Sequence, residues 1–280
     1  MKKCTAFVLG GGGSRGALQI GALRALLEAN MVPDLVVGTS IGAANATGLA
    51  LWGMDLDGLA ALERVWEQVA SAEILDSRIS QLIFRVMIGQ PSDRTRKKVE
   101  NYFVSLGITD RLTFDMTPYA RLALISADLE TGQTVIYGQN QCDSILEGLL
   151  ASIAVPPWFM PLQKDGRMII DGGLMSNLPI EPALRMGATE IIAVDLNDTT
   201  LIPKENLSLP EYFQKALSAA IRRQIQLETQ IAEMQGVTVR RIDFQGIAKT
   251  PMWDFSDYRR LRQAGYEKTK MMIAEWNQEK

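Results

Sequence analysis

The most informative absence in this sequence is histidine, of which the 280 residues contain none. Without an imidazole, the chain cannot form a Ser-His-Asp or Cys-His catalytic site of its own, nor a zinc site with histidine ligands. Proton transfer in any active site must therefore be carried out by carboxylates, lysines, tyrosines or water.

Cysteine is scarce as well, since Cys4 and Cys142 are the only two and match no metal-binding or redox spacing. We expect two buried thiols in a reducing compartment, which predicts a cytoplasmic protein. Long apolar runs are also lacking, because no stretch reaches the ~18 residues that a membrane-spanning helix needs. The net charge of −3 provides no basic surplus to neutralise phosphates, so we expect no nucleic-acid partner.

Short apolar runs alternate with helical patterns along the chain. The first part predicts strands at 4–9 and 34–37 and helices at 17–29, 43–52 and 56–69. The later part predicts strands at 121–127, 133–137, 168–170, 190–196 and 237–244, and helices at 210–235 and 258–276. Strand–helix alternation is typical of a parallel sheet with helices on its faces. We therefore expect an α/β fold with a mainly parallel central sheet, formed by residues 1–280 as a single domain.

The first candidate for chemistry is the G-x-S-x-G motif Gly38-Thr39-Ser40-Ile41-Gly42, which follows a predicted strand and precedes a helix of small residues. A serine at such a turn is exposed and strained, and the flanking glycines relieve crowding. The alternative is a chance glycine–serine turn. The context favours Ser40 as a nucleophile.

The second candidate is the glycine run that begins after the first strand. Gly11-x-Gly13-x-x-Gly16 matches the dinucleotide-binding fingerprint. That fingerprint also needs an acidic residue at the end of the second strand, whereas the second strand here ends at Ser40. Alternatively, the backbone amides of Gly11, Gly12 and Gly13 form an oxyanion hole. A glycine turn without a ligand is the third interpretation.

The third candidate is Asp171, which leaves a short apolar strand and is followed by two glycines. Partial burial would raise the pKa of its carboxyl and make it a better base. Taken alone, this aspartate is more typical of an ordinary turn.

The order of these motifs resembles that of the patatin-like phospholipases, which carry G-G-G-x-[RK]-G, G-x-S-x-G and D-G-[GA]. The matching segments are Gly11-Gly12-Gly13-Ser14-Arg15-Gly16, Gly38-Thr39-Ser40-Ile41-Gly42, Asp171-Gly172-Gly173 and the family-like Ala151-Ser152-Ile153-Ala154-Val155-Pro156. The resemblance spans nearly the whole chain, except for residues 56–117.

The resemblance implies a three-layer α/β/α fold and a catalytic dyad that needs no histidine. Carried over, Ser40 is the nucleophile, Asp171 is the base, and the amides of Gly11, Gly12 and Gly13 form the oxyanion hole. Arg15 occupies the basic position of the family and is an auxiliary candidate.

The same resemblance implies a serine acyl hydrolase of the phospholipase A, lysophospholipase or esterase type. Its partner would be a lipid or a small acyl ester, and we expect no cofactor and no metal. Two other functions stay open, namely a nucleotide-binding oxidoreductase using Gly11-x-Gly13-x-x-Gly16 and a catalytically silent binding scaffold.

The apolar run at 79–88 is followed by Arg94, Arg96, Lys97 and Lys98, a pattern that allows peripheral membrane contact. Apolar residues beside basic ones can rest on an anionic membrane surface. Such a pattern is more typical of a core helix followed by a solvated basic face.

Overall fold

The structure, a computed structural model, describes residues 3–71, 93–156, 158–197, 209–247, 250–252 and 254–278. The strands of this part are β1 (Thr5–Leu9), β2 (Leu35–Thr39), β3 (Arg121–Asp128), β4 (Thr134–Tyr137), β5 (Leu162–Lys164), β6 (Arg167–Asp171), β7 (Glu190–Asp195) and β8 (Thr238–Asp243). Its helices are α1 (Gly16–Glu28), α2 (Ile41–Trp52), α3 (Leu56–Ser71), α4 (Asp93–Ser105), α5 (Ile145–Ser152), α6 (Ile180–Arg185), α7 (Leu209–Met234) and α8 (Tyr258–Gln278). The short 3₁₀ turns are Gly13–Arg15, Phe114–Met116 and Gly172–Leu174.

The strands form one sheet in the order β5-β6-β3-β2-β1-β7-β8, and β4 also pairs with β3. The pairings of β3 with β2, β2 with β1, β1 with β7 and β7 with β8 are parallel. The three pairings that involve β4, β5 or β6 are antiparallel. The predicted mainly parallel sheet is confirmed, with an antiparallel flank at one side.

Alternate side chains of β1 point to two different hydrophobic cores, as expected for a strand covered on both faces. Phe7 and Leu9 pack among residues of α1, α2, α3, α5 and α8. Ala6 and Val8 belong to the second core, to which α6 and α7 contribute. The sheet is therefore the middle layer of a three-layer α/β/α arrangement, as predicted.

Both cysteines are free, but the prediction that both are buried was wrong for Cys142. This residue is exposed in the turn that connects β4 to α5, and Cys4 is half-buried just before β1. Cys4 packs against the second hydrophobic core described above, whereas Cys142 lies on the surface.

The predicted membrane-contact run at 79–88 lies outside the described residues. Of the basic residues that follow it, Lys97 and Lys98 are exposed on α4, and Lys97 pairs with Glu100. Among the helices that the structure describes, none combines the length and apolar character needed to cross a bilayer.

The parallel strands bring three functional segments to one edge of the sheet. The glycine run follows β1, Ser40 follows β2, and Leu196 follows β7. Because the carboxyl ends of parallel strands meet at the same edge, these segments are neighbours. This edge is where a ligand crevice is expected in an open α/β sheet.

Candidate active site

Ser40 is the single residue between strand β2 and helix α2. Its backbone adopts φ 57° and ψ −125°, and a positive φ is uncommon for a residue other than glycine. The turn requires a glycine at Gly42, since a Cβ there would lie 2.1 Å from the carbonyl oxygen of Leu9. The predicted nucleophile therefore stands on a strained turn at the start of a helix, partly exposed to solvent.

A hydrogen bond from the Ser40 backbone to Ser152 holds this turn in place. The Ser40 N–H donates to Ser152 Oγ at 2.9 Å, and the Ser152 hydroxyl donates to the Ile125 carbonyl at 2.6 Å. The backbone of Ser40 is thus tied to the end of α5 and to β3. In the sequence, Ser152 belongs to a family-like segment but carries no signal for this contact.

Strand β3 brings Ser40 and Asp171 together. Thr39 pairs with Ile125 in the β2–β3 ladder, and Asp171 pairs with the next residue of β3, Ser126, in the β3–β6 ladder. Consecutive residues of a strand are only about 3.3 Å apart along it. Residues that are distant in the sequence therefore become neighbours across one strand.

The Asp171 carboxyl is buried, with 5% of the residue exposed. Its Oδ1 accepts a hydrogen bond from the Gly173 N–H at 2.7 Å. Its Oδ2 has no hydrogen-bond partner of normal geometry among the described residues, although the Ser40 hydroxyl is close enough to affect the carboxyl. The two side chains are thus neighbours whose hydrogen bond is poorly formed in this conformation, which is common for catalytic groups without a ligand.

Burial raises the pKa of Asp171 to about 7, against the opposing effects of the Ser40 hydroxyl and the Gly173 N–H. The cause is desolvation, which disfavours the charged carboxylate. A carboxyl with this pKa can accept and return a proton near neutral pH.

The glycine run after β1 lies against Ser40, since a Cβ on Gly11 would be 3.2 Å from the Ser40 Cβ. A planar trans peptide points its carbonyl and the following N–H in opposite directions. The Gly10 carbonyl accepts from Gln19 Nε2 at 2.8 Å, and the Gly11 N–H donates to the Asn177 carbonyl at 3.0 Å. This first peptide is therefore held on both sides.

In the next two peptides, Gly11–Gly12 and Gly12–Gly13, the carbonyl oxygen accepts a hydrogen bond. The Gly11 carbonyl accepts from Asn177 Nδ2 at 3.4 Å, and the Gly12 carbonyl accepts from the Arg15 N–H at 3.3 Å. No residue of the described ranges accepts from the amides of Gly12 and Gly13. Of the three predicted oxyanion donors, the Gly11 amide is bonded to Asn177, and the Gly12 and Gly13 amides have no acceptor in the part of the chain that the structure describes.

Arg15, the predicted auxiliary residue, connects the glycine loop to the sheet. It is 7% exposed, and its Nε donates to the Leu196 carbonyl, just after β7, at 3.0 Å. Beside it, the Ser14 hydroxyl donates to the Pro251 carbonyl at 2.8 Å. These contacts hold the loop between β7 and the segment that precedes α8, so Arg15 is placed to support the glycine amides.

Asn177 is a site residue that the sequence analysis missed. Its Oδ1 lies 2.6 Å from where a Cβ on Gly11 would be and 3.0 Å from the same point on Gly173. With its carbonyl on the Gly11 N–H, it joins the glycine loop to the loop that follows Asp171. Its position six residues after that aspartate is the only sequence signal, and asparagine is common in turns.

Two further buried carboxyls lie on elements that border the site. Asp195 ends β7 and pairs with Arg241 at 2.6 Å, and Glu228 lies on α7. Burial raises the pKa of both carboxyls. Within the described residues, no three or more acidic or cysteine side chains gather into a group that could hold a metal ion.

Comparison with known proteins identifies a family. A family model described as patatin-like phospholipase matches residues 7–184. Human patatin-like phospholipase domain-containing protein 6 is 30% identical over 193 residues, which are 68% of this chain and 13% of that protein. An uncharacterised NTE family protein from Mycobacterium tuberculosis is 30% identical over 202 residues, 72% of this chain and 32% of that protein. The chain therefore spans less than a third of the length of these relatives.

Two solved structures share the fold at low sequence identity. VipD from Legionella pneumophila gives a TM-score of 0.51 and 17% identity, over 98% of this chain and 67% of that one. Human GIVD cytosolic phospholipase A2 gives a TM-score of 0.52 and 10% identity, over 97% of this chain and 59% of that one. The predicted α/β fold is thus confirmed by the sheet and by these similarities.

We predict that Asp171→Asn makes the folded protein more stable at pH 8. The pKa of Asp171 rises from 3.8 to about 7 on folding, so between these values the folded state binds more protons than the unfolded state. Stability is lost as pH rises through this window, and the neutral amide removes that loss, which is at most about 4 kcal/mol.

Urea unfolding at pH 4 and pH 8 measures this effect. The gain should be near zero at pH 4 and largest at pH 8, whereas Asp110→Asn, at an exposed position, should change stability little at either pH. An Asp171→Asn protein less stable than the original at pH 8 would contradict the assignment of a costly buried carboxylate.

Proposed function

Because the chain belongs to the patatin-like phospholipase family, we propose that it is a serine hydrolase that cleaves carboxylic esters of lipids with a Ser40–Asp171 dyad. The observation that carries the proposal is the buried Asp171 carboxyl, which lies next to the hydroxyl of a serine on a strained strand-to-helix turn. Since the chain contains no histidine, a carboxyl is also one of the few kinds of base that the residue inventory permits.

In the first step, the Ser40 Oγ attacks the ester carbonyl carbon while Asp171 Oδ2 takes the hydroxyl proton. The carbonyl oxygen becomes negative and accepts hydrogen bonds from the free amides of Gly12 and Gly13. Donors fixed before the reaction need no reorganisation, and removing one such donor typically costs about 3–4 kcal/mol. Collapse of the intermediate breaks the ester bond, and Asp171 returns its proton to the leaving alcohol.

In the second step, Asp171 takes a proton from water as the water attacks the acyl-serine. The same two amides hold the second oxyanion, the bond to Ser40 breaks, and the Ser40 oxygen regains the proton from Asp171. The carboxylic acid leaves and the site returns to its starting state. A base with a pKa near 7 suits both directions of proton transfer.

A substrate with an apolar acyl chain is supported by residues that border the site. Leu174 lies in the turn that follows Asp171 and is 39% exposed. Met252 is 44% exposed and contacts the position of Gly13 in the glycine loop. Exposed apolar side chains at the border of a polar site are suited to binding a hydrocarbon chain.

We propose further that the 280 residues act as one domain. Helix α8, far beyond the matched region, places Tyr258, Leu261 and Ile273 in the same core as α1 and β1. Of the two alternatives raised by the sequence, neither the oxidoreductase nor the silent scaffold is favoured by a specific observation.

We predict that a fluorophosphonate probe labels the protein at Ser40 and that the protein hydrolyses a short p-nitrophenyl ester. Ser40→Ala should abolish both, because the nucleophile is gone, and Asp171→Asn should lower the hydrolysis rate by about a thousandfold or more. Ser71→Ala, an exposed serine on α3, serves as the control and should behave like the original. Full activity of Ser40→Ala would sink the proposal.

We also predict that kcat/KM rises with pH and reaches a plateau above about 7. Asp171 must be deprotonated to accept the Ser40 proton, so activity is lost as pH falls through the pKa of about 7. Initial rates on the p-nitrophenyl ester between pH 5 and 9 test this. Burial raises the pKa of Glu228 to about 7 as well. The same pH series on the Glu228→Gln variant therefore shows which of the two carboxyls controls the rate. An unchanged profile in that variant supports Asp171, and a lost acid limb excludes it.

A further inference from the structure

Helix α7 carries two polar side chains, Gln224 and Glu228, one helical turn apart and directed at the same loop. This loop, residues 174–177, runs between the 3₁₀ turn that follows Asp171 and the start of α6. Residues four apart lie on one face of a helix, so a single face of α7 reaches the loop at two points. The helix lies beyond residue 184, where the family match ends.

Glu228 is 7% exposed, and its two oxygens accept from two different segments. Oε1 accepts from the Ser176 hydroxyl at 2.8 Å, and Oε2 accepts from the Glu181 N–H at the start of α6, also at 2.8 Å. Burying a carboxyl is costly, and these bonds offset part of the cost. The buried Glu228 carboxyl therefore holds the Ser176 hydroxyl and the Glu181 N–H in fixed positions.

Gln224 holds the next residue of the same loop. Its Oε1 accepts from the Asn177 N–H at 3.0 Å, and its Nε2 donates to the Leu174 carbonyl at 3.4 Å. Together, the two α7 side chains bind the loop at three of its four residues, Leu174, Ser176 and Asn177.

Each held residue contacts one half of the candidate active site. The Ser176 carbonyl accepts from the Thr39 hydroxyl at 2.8 Å, and Thr39 is the residue before Ser40. The Asn177 carbonyl accepts the Gly11 N–H at 3.0 Å, next to the free amides of the glycine loop. One route of hydrogen bonds thus runs from Glu228 to the nucleophile turn, and another from Gln224 to the glycine loop.

We propose that Gln224 and Glu228 are positioning residues, which set the distance between the Ser40 hydroxyl and the glycine amides by holding the 174–177 loop. The proposal rests on the ester hydrolysis proposed above. A misplacement of about 1 Å can cost as much as a hundredfold in rate, so weak distortions of this loop should be visible in kinetics.

The test compares Glu228→Leu with Glu228→Gln. Leucine keeps the volume and removes both hydrogen bonds. Glutamine keeps them, because its oxygen can accept from the Glu181 N–H while its amide donates to the Ser176 hydroxyl, which can rotate. We expect Glu228→Leu to lower kcat and the rate of fluorophosphonate labelling by about tenfold or more with KM within about twofold, and Glu228→Gln to restore both to within about threefold.

Gln224→Ala should lower the same two rates, and its matched control is Gln226→Ala, two residues along the same helix and exposed. Thermal unfolding of each variant checks that it is folded at the assay temperature. Variants that are folded and react at the original rate overturn the inference. So does a Glu228→Gln protein as slow as Glu228→Leu, since hydrogen bonding would then not be the cause.

Amide hydrogen exchange separates this inference from the proposed function. In Gln224→Ala and Glu228→Leu we expect faster exchange in segments 10–16 and 38–44, and no change there in Gln226→Ala. If the original protein is not labelled at Ser40, the proposed hydrolysis fails. Unchanged exchange in both variants overturns the positioning role whether or not the original protein is labelled.

Discussion

A carboxyl group removed from water beside a strained serine is the constraint around which the candidate site is arranged. Asp171 and Ser40 are each unfavourable by themselves, one through desolvation and the other through a positive φ. Both persist because buried sheet residues surround them, and because the pairing of β3 with β2 and β6 fixes their positions. The raised pKa of Asp171 is therefore a consequence of the sheet.

The glycine loop shows how backbone geometry assigns roles to identical residues. Gly11, Gly12 and Gly13 are alike in sequence, yet the Gly11 amide donates to Asn177 and the next two find no acceptor among the residues that the structure describes. The difference follows from peptide planarity and from which carbonyls find donors on the opposite side. Of the three amides in the predicted oxyanion hole, the one of Gly11 thus fixes the loop, and the proposed mechanism uses those of Gly12 and Gly13.

The two faces of the sheet contribute differently to this arrangement. On one face, α1 and α2 are directly attached to the glycine loop and to Ser40, and both belong to the region matched by the family. On the other face, α7 holds the loop that touches both halves of the site. The region that carries the motifs is therefore supported by α7, a helix that lies outside the matched region.

The sequence alone predicted every described strand except β5, the helices α1, α2, α3, α7 and α8, the turn at Ser40 and the need for a base other than histidine, but it missed α4, α5 and α6. These properties are local, because apolar periodicity, glycine spacing and residue inventory can be read from neighbouring positions. The family resemblance paired Asp171 with Ser40, but only the tertiary structure shows that they become neighbours across β3. It alone also shows that Asn177 accepts from the Gly11 amide, and that Gln224 and Glu228 hold the 174–177 loop. Each of these contacts joins segments far apart in the chain, and their proximity depends on strand order and helix packing, which no local pattern encodes.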